Sequence, residues 1–295
     1  MANEGHETFI KTGKILITGA NGNVGGELVK ICSRENVEAV AAVTDLKKSV
    51  GQFAFGIEPR EFDFTRPETY AGAMRDVSRV FLMRPPAVSN VRRDIFPFLE
   101  YCRRERVKQI VFLSLLGAER LSFTPHRRIE LEILRLDIPY TFLRPSFFMQ
   151  NLATTHRDEI KSDGEIFVPA GKGKTSFVDA RDVAESAFTS LSGAQHLNKS
   201  YELTGSEALS YYEVAEILSE ILKKPIAYQK PSLLSFIWRS WRKHKNLSFV
   251  LVMAIIYTTA RFGQAGSITE ELPKLLGRKS ISFRQFAEDY KDRWI

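Results

Sequence analysis

The 295-residue sequence predicts an α/β fold: a doubly wound parallel sheet followed by a smaller, mainly helical C-terminal lobe. Three observations predict it. Short apolar runs alternate with helical patterns through the first half, a glycine-rich turn joins the first run to the first helix, and the last third reads mainly as helices. The composition, 44% hydrophobic and 26% charged, is that of a chain with a real core. Single cores stop growing at roughly 250–300 residues, so two parts are expected.

Residues 1–12 read as a loose polar tail without the apolar stretch and cleavage site of a secretory signal. The core sheet is expected over residues 13–150. Its first strand is Lys14 to Thr18, followed by glycines and then by Val24, Leu28, Val29 and Ile31 at helical spacing. Val37 to Val43 is expected as a second buried strand and Phe62 to Phe64 as a short third. Arg79 to Met83 is a fourth, ending at Pro85-Pro86, and Gln109 to Leu113 a fifth behind the helical pattern Ile95 to Arg106. Strands buried on both faces imply a parallel sheet with helices on either side. Beyond Pro145 the alternation weakens. Residues 151–295 are expected as a substrate-side lobe, with segments near 175–204, at Thr175 to Val178 and Tyr201 to Leu203, returning to the core sheet. The last helices are expected at Tyr211 to Leu222, Leu234 to Arg242, Leu247 to Arg261 and Phe283 to Trp294.

Lys and Arg number 42 against 35 Asp and Glu, a net charge of +7. The basic runs Arg103-Arg104 with Arg106 and Lys108, and Arg239 to Lys245, are short and alternate with apolar residues. They read as solvated helix faces in preference to nucleic-acid patches, so no nucleic-acid partner is expected. Two cysteines, Cys32 and Cys102, make neither a disulfide framework nor a zinc site, which suits the cytoplasm. No metal-binding motif is present. Leu247 to Tyr257 is about half of the roughly 20 residues that cross a bilayer, so a buried helix and no membrane insertion are expected.

The most informative segment is Gly19-Ala-Asn21-Gly22-Asn23-Val24-Gly25, between the first strand and first helix. Gly19 permits the tight turn, Gly22 lets the backbone approach a diphosphate, and Gly25 lets helix and strand pack closely. The helix N-terminus supplies N–H donors to anionic oxygens. Strand, turn and helix in this order are the context a dinucleotide site requires.

This spacing resembles the extended and atypical short-chain dehydrogenases/reductases, with their Rossmann-type sheet. His126-Arg-Arg-Ile-Glu130, Ile138 to Pro145 and Phe148-Met149-Gln150-Asn151 resemble the NmrA-like family. That family holds NAD(P)H-dependent reductases of quinones and dyes as well as redox-sensing regulators. The terminal Leu276-Gly277-Arg278 with Phe283, Phe286 and Trp294 is similar to the family's last helix.

The resemblance implies a cofactor, NAD or NADP. The second strand ends at Thr44-Asp45, where NADP-binding relatives usually carry arginine, so Asp45 slightly favours NAD while Lys47 and Lys48 pull the other way. Asp63, beside Phe64, resembles the residue that meets the adenine amino group; its other reading is a helix N-cap for Arg66 onward. Met83, Arg84 and Pro85 lie on the ligand edge of the sheet, with Arg84 open to a phosphate or to solvent. Ser114 preserves the superfamily's serine, but no Tyr-x-x-x-Lys pair follows the fifth strand. His126 stands where atypical relatives place lysine or histidine. It reads as a cofactor contact, as a proton donor near its ordinary pKa of about 6.5, or as a helix-start residue paired with Glu130. Pro145 ends a strand near the implied nicotinamide.

Leu115, Phe147, Phe148 and Met149 read as an apolar substrate pocket or, for the last three, as inter-domain core. Gly171-Lys-Gly-Lys-Thr175 imitates a triphosphate loop but lacks its first glycine and leads into a strand; a mobile loop is expected. The expected function is passage of hydride to a small apolar acceptor such as a quinone. The competing class is a dinucleotide-sensing regulator acting through a protein partner, and a homodimer is a further open arrangement.

Overall fold

The structure, a computed structural model, describes residues 13–295 except 50, 55, 87, 89, 123, 245 and 246. The expected tail, residues 1–12, and Lys245 of the second basic run lie outside the described residues. The chain forms two compact units. The first gathers the chain up to Pro145, Ala180–Leu203 and Lys274–Gly277. The second gathers Ser146–Asp179, Thr204–Pro273 and Arg278–Ile295.

The first unit is built on seven parallel strands: β1 (Lys14–Ile17), β2 (Ala39–Val43), β3 (Ile57–Glu61), β4 (Val77–Met83), β5 (Gln109–Leu113), β6 (Tyr140–Pro145) and β7 (Lys199–Leu203). Their order in the sheet is β3-β2-β1-β4-β5-β6-β7, and every pairing is parallel. Alternate residues face opposite sides. Leu16, Val40, Val80, Leu82, Ile110, Phe112 and Phe142 share one core with helices α2 (Phe96–Arg104) and α3 (Pro125–Arg135). Helices α1 (Asn23–Arg34) and α4 (Ala180–Ser192) pack on each other and on the opposite face. This is a Rossmann-type α/β architecture.

The third strand is Ile57–Glu61, and not Phe62 to Phe64 as the aromatic pattern suggested. An edge strand has one half-solvated side and tolerates Pro59, so its residues read as polar. Phe62 and Phe64 instead pack edge-on with Phe98 in the core just past the strand. A second correction concerns Thr175 to Val178. Only Lys174–Thr175 is strand, paired antiparallel with Leu209–Ser210 in a separate two-stranded sheet, and Val178 makes an isolated bridge to Phe148.

Buried polar side chains fasten the amino ends of the strands to the end of α4. Arg79 Nη1 donates to the Leu191 carbonyl at 2.6 Å, and Gln109 Nε2 donates to the Ser190 carbonyl at 3.0 Å and to Thr141 Oγ1 at 2.9 Å. Thr141 Oγ1 donates in turn to the His196 carbonyl at 2.7 Å. The last carbonyls of a helix have no partner within it, and a guanidinium also complements the negative end of the helix dipole.

In the second unit, Met149, Leu152, Phe177, Tyr211, Phe236, Tyr257, Phe283, Phe286 and Trp294 belong to one core. Trp294 is fully buried and its Nε1 donates to the Leu152 carbonyl at 3.0 Å. Helix α5 (Tyr211–Leu222) begins in a reciprocal cap between Ser210 and Glu213. Helices α6 (Leu233–His244) and α7 (Leu247–Arg261) follow, then α8 (Phe283–Asp289). The expected buried helix is α7, yet only one side is buried, through Val250, Met253, Ala254, Tyr257 and Ala260. Leu247, Leu251, Val252, Ile255 and Ile256 are exposed. Among the described residues, no helix is long and apolar enough to cross a membrane.

The link between β1 and β4 is itself testable. Thr18 Oγ1 donates to the Phe81 carbonyl at 3.1 Å and accepts the Met83 N–H at 2.8 Å. Thr18→Val leaves that half-buried N–H without its acceptor, so urea unfolding should show a loss of about 1 kcal/mol, with Thr18→Ser close to the parent.

Candidate functional site

The three glycines of the turn answer to three different constraints. Gly19 has φ +66°, a left-handed conformation that favours glycine. A Cβ on Gly25 would lie 2.2 Å from the Gly19 carbonyl oxygen, so only glycine lets α1 start against the turn. Gly22 has an ordinary φ of −88° and is the N-cap of α1. A Cβ there would meet the Gly19 oxygen at 3.2 Å and the flexible Met83 Cε at 3.4 Å, which is tight but not prohibitive. No side chain caps the helix and no acidic residue sits in its first turn. Val24 is buried, whereas Asn21 and Asn23 are exposed. The positive end of α1 thus lies at the carboxyl end of β1, at the reversal of strand order between β1 and β4.

At the end of β2, Thr44 is exposed and Asp45 Oδ1 accepts the Lys47 and Lys48 N–H groups at 3.0 and 3.3 Å. The hydrogen bond from the Lys48 backbone, with its ammonium 3.5 Å from Oδ2, lowers the Asp45 pKa. Past β3, Asp63 Oδ1 accepts the Thr65 N–H and hydroxyl, each at 2.8 Å. The N-cap reading of Asp63 is corrected by this geometry: the short helix Pro67–Thr69 is entered through Arg66 without a side-chain cap. The Phe64 ring faces the core, and its carbonyl accepts the Tyr70 hydroxyl at 2.6 Å.

Beyond β4, Met83 and Pro85 are half-buried. Arg84 Nη1 donates to the carbonyls of Pro85, Pro86 and Val88 at 3.1, 3.4 and 2.7 Å, while its buried Nε has no hydrogen-bond partner among the described residues. Ser114, just past β5, donates its hydroxyl to Glu130 Oε1 at 2.7 Å. Leu115 is half-buried, and Pro145, buried at the end of β6, accepts the Leu116 N–H at 3.0 Å.

His126 does not pair with Glu130. Its ring lies 6.1 Å from that of Phe112 in a stacked arrangement. Burial and the neighbouring Arg84 charge push its pKa down to about 4, against an opposing pull from Glu130. The imidazole is therefore neutral at pH 7, its pKa well below the ordinary titration range.

Glu130, fully buried, holds Arg144 through Nε and Nη2 at 3.0 Å each and Arg127 at 2.9 Å. Arg144 also meets Glu119 at 3.1 Å. Burial works against the Arg144 charge, but its bonds to Glu130 outweigh that and leave its pKa raised.

In the second unit, Met149 is in the core and Phe147 packs on it, with its ring 6.3 Å from Tyr257. Phe148 is half-buried. The segment expected as a mobile loop is close-packed: a Cβ on Gly173 would fall 1.8 Å from the Ala260 carbonyl oxygen of α7. A buried line runs from Glu159 to His156 Nδ1 at 3.1 Å and from His156 Nε2 to the Tyr257 hydroxyl at 2.5 Å. Burial raises the Tyr257 pKa.

Comparison with known proteins now decides the family: the model of the NmrA-like family matches residues 11–266. The chain belongs to the NmrA-like family. It is 29% identical over 278 residues to an NAD(P)H azoreductase of Xenophilus azovorans, covering 93% of this chain and 96% of that one. It is 27% identical to prestalk A differentiation protein A of Dictyostelium discoideum, over 93% and 91%. The structure of the Citrobacter sp. triphenylmethane reductase, complexed with NADP(H), matches with a TM-score of 0.83 at 26% identity, covering 94% of this chain and 99% of that one.

Within this family member, the Glu130 cluster is the feature that reading the sequence missed. A signal was present: Glu130 sits in α3 between the buried Ile129 and Ile133, and a carboxylate on a buried helical stripe demands charged or hydrogen-bonding partners.

The depressed His126 pKa fixes a pH dependence. The unfolded imidazole titrates near 6.5 and the folded one at about 4. As pH falls below the first value the unfolded state takes up a proton that the folded state refuses, so stability is lost across this window. Urea unfolding should show the parent losing about 2 kcal/mol more than His126→Gln between pH 7 and pH 5.

Proposed function

We propose that the protein is an NAD(P)H-dependent oxidoreductase of the atypical short-chain type whose acceptor is small, flat and apolar, such as a quinone. The observation that carries this reading is the uncapped, acid-free start of α1 at the reversal of strand order, where open parallel sheets take their ligands. Gly22 fits the same group. Its conformation does not demand glycine and a Cβ there would be tight but not prohibitive, so clearance for a phosphate against the backbone is the added reason for glycine in this reading.

In this reading the Asn23, Val24 and Gly25 N–H groups hold the diphosphate, with Gly19 and Asn21 shaping the turn. Thr44 and Asp45 meet the ribose, and Asp63 with the Phe64 backbone meets the adenine. Met83, Arg84, Pro85, Ser114, His126 and Pro145 border the remainder. Leu115 offers apolar surface to an acceptor. The reduced cofactor supplies a hydride when bound.

The chain's own part is orientation. Ser114 already gives its proton to Glu130, and neutral His126 acts as a hydrogen-bonding group, so an acceptor that takes its proton from water suits the site. Relatives named for azo and triphenylmethane substrates support such an acceptor. The committed Ser114 proton equally favours a second reading, a dinucleotide-sensing regulator without turnover. Two free, buried cysteines, both with raised thiol pKa values, support a reducing, cytoplasmic setting. NAD is preferred by a small margin, because the Asp45 carboxylate opposes a 2′-phosphate while Lys48 partly offsets it.

The test is calorimetric titration with NAD, NADH, NADP and NADPH, followed by a quinone panel read as loss of nicotinamide absorbance. Turnover supports the oxidoreductase; discrimination between redox states with no turnover on any acceptor selects the sensor. Gly22→Val should stay folded and lose dinucleotide affinity by about a hundredfold; retained affinity would remove the phosphate assignment. Asp45→Arg should move the NADP to NAD affinity ratio about tenfold toward NADP, and an unchanged ratio rejects the ribose assignment.

A further inference from the structure

Exposed apolar side chains are concentrated in one stretch of the chain, over two helices that pack on each other. Among the described residues, ten of the sixteen large hydrophobic side chains that are exposed lie between Leu233 and Phe262, in α6, α7 and the residue that follows. On α6, Leu234, Trp238 and Trp241 recur at i, i+4 and i+7 and are 79%, 59% and 50% exposed. The third of the chain's three tryptophans, Trp294, is fully buried. Helix α7 carries no charged residue from Leu247 to Ala260, and its outer side presents Leu251, Val252 and Ile255 where a surface helix ordinarily presents charge.

The charge around this patch has one sign in sequence. From Ile221 to Thr269 there is no Asp or Glu, against eight Lys and Arg. The acids that reach it come from another segment of the same unit, and they face inward. Arg239 pairs with Asp163 at 3.4 Å and with Glu165, and Lys243 with Glu159 at 3.5 Å. These pairs fix one side of α6 to the unit. Arg242 instead lies over the Trp238 ring at 4.8 Å, on the exposed side.

We propose that α6 and α7 form a docking surface for an anionic lipid bilayer, on which the protein lies without crossing it. Interfacial helices combine tryptophan and aliphatic side chains with Lys and Arg in this way, and 15 residues of α7 are too few to span. Basic residues beside the apolar face gain from the negative surface potential of anionic lipid. A second copy of the chain is a poorer occupant, because a two-fold contact would set Arg242 and its neighbours against their own copies.

The experiment is flotation of the 295-residue chain with vesicles of phosphatidylcholine containing roughly one third phosphatidylglycerol, and with phosphatidylcholine alone. The expected result is flotation with the anionic vesicles, weakened by salt, with a blue shift of the emission from the exposed tryptophans. The double variant Trp238→Ser with Trp241→Ser should weaken binding by about tenfold or more at unchanged Tm, and Arg242→Glu should reduce the preference for anionic vesicles. The proposal is overturned by absence of flotation, by equal binding of the variants, or by a solution dimer that the double variant converts to monomer.

Discussion

The carboxyl-end edge of the first unit's sheet depends on the absence of one atom, the Cβ of Gly25. Helix α1 starts against the turn it has just left, and any side chain at that position would run into the Gly19 carbonyl. The consequence is directional. With the helix held against the turn, its uncapped first N–H groups remain beside the carboxyl end of β1, next to β4. Met83, at the end of β4, occupies the space beside Gly19 that a side chain there would fill, so turn, helix and fourth strand constrain one another.

Two buried polar assemblies then hold the strands at opposite ends. At the amino ends, Arg79, Gln109 and Thr141 are tied to carbonyls of α4 and of the segment that follows it. At the carboxyl ends, Glu130 gathers Ser114, Arg127 and Arg144, and Glu119 joins through Arg144. The second assembly sets two carboxylates against two guanidinium groups. Burying a single charge costs several kcal/mol, and a partly satisfied network is worse than an apolar core. Balance is therefore what allows four charges so close to the site, and it also determines where the Ser114 proton points.

How legible this was in the sequence follows from which signals are local. The glycine turn was legible because strand, turn and helix are contiguous and each glycine has a physical reason within a few residues. The first, second, fourth and fifth strands and α5 were legible from apolar periodicity. The third strand was not, because an edge strand is half-solvated and its aromatic neighbours outweighed Ile57–Glu61 in any pattern. The Glu130 cluster draws on α3, β6 and the segment between β5 and α3, so no window of the sequence contains it. The half-exposed side of α7 was also hidden, since periodicity cannot tell an apolar helix with two buried faces from one with an apolar face left open.

The charge states at the site limit its chemistry. Neutral His126 and a serine hydroxyl that donates to a carboxylate leave no ready general acid among the side chains proposed to border the cofactor. An oxidoreductase built this way must draw its rate from positioning, which is worth up to about 7–11 kcal/mol when reactants are held in line. Acid catalysis would contribute little. Positioning alone suits an acceptor whose intrinsic barrier is low, which is the argument behind the proposed flat, conjugated class.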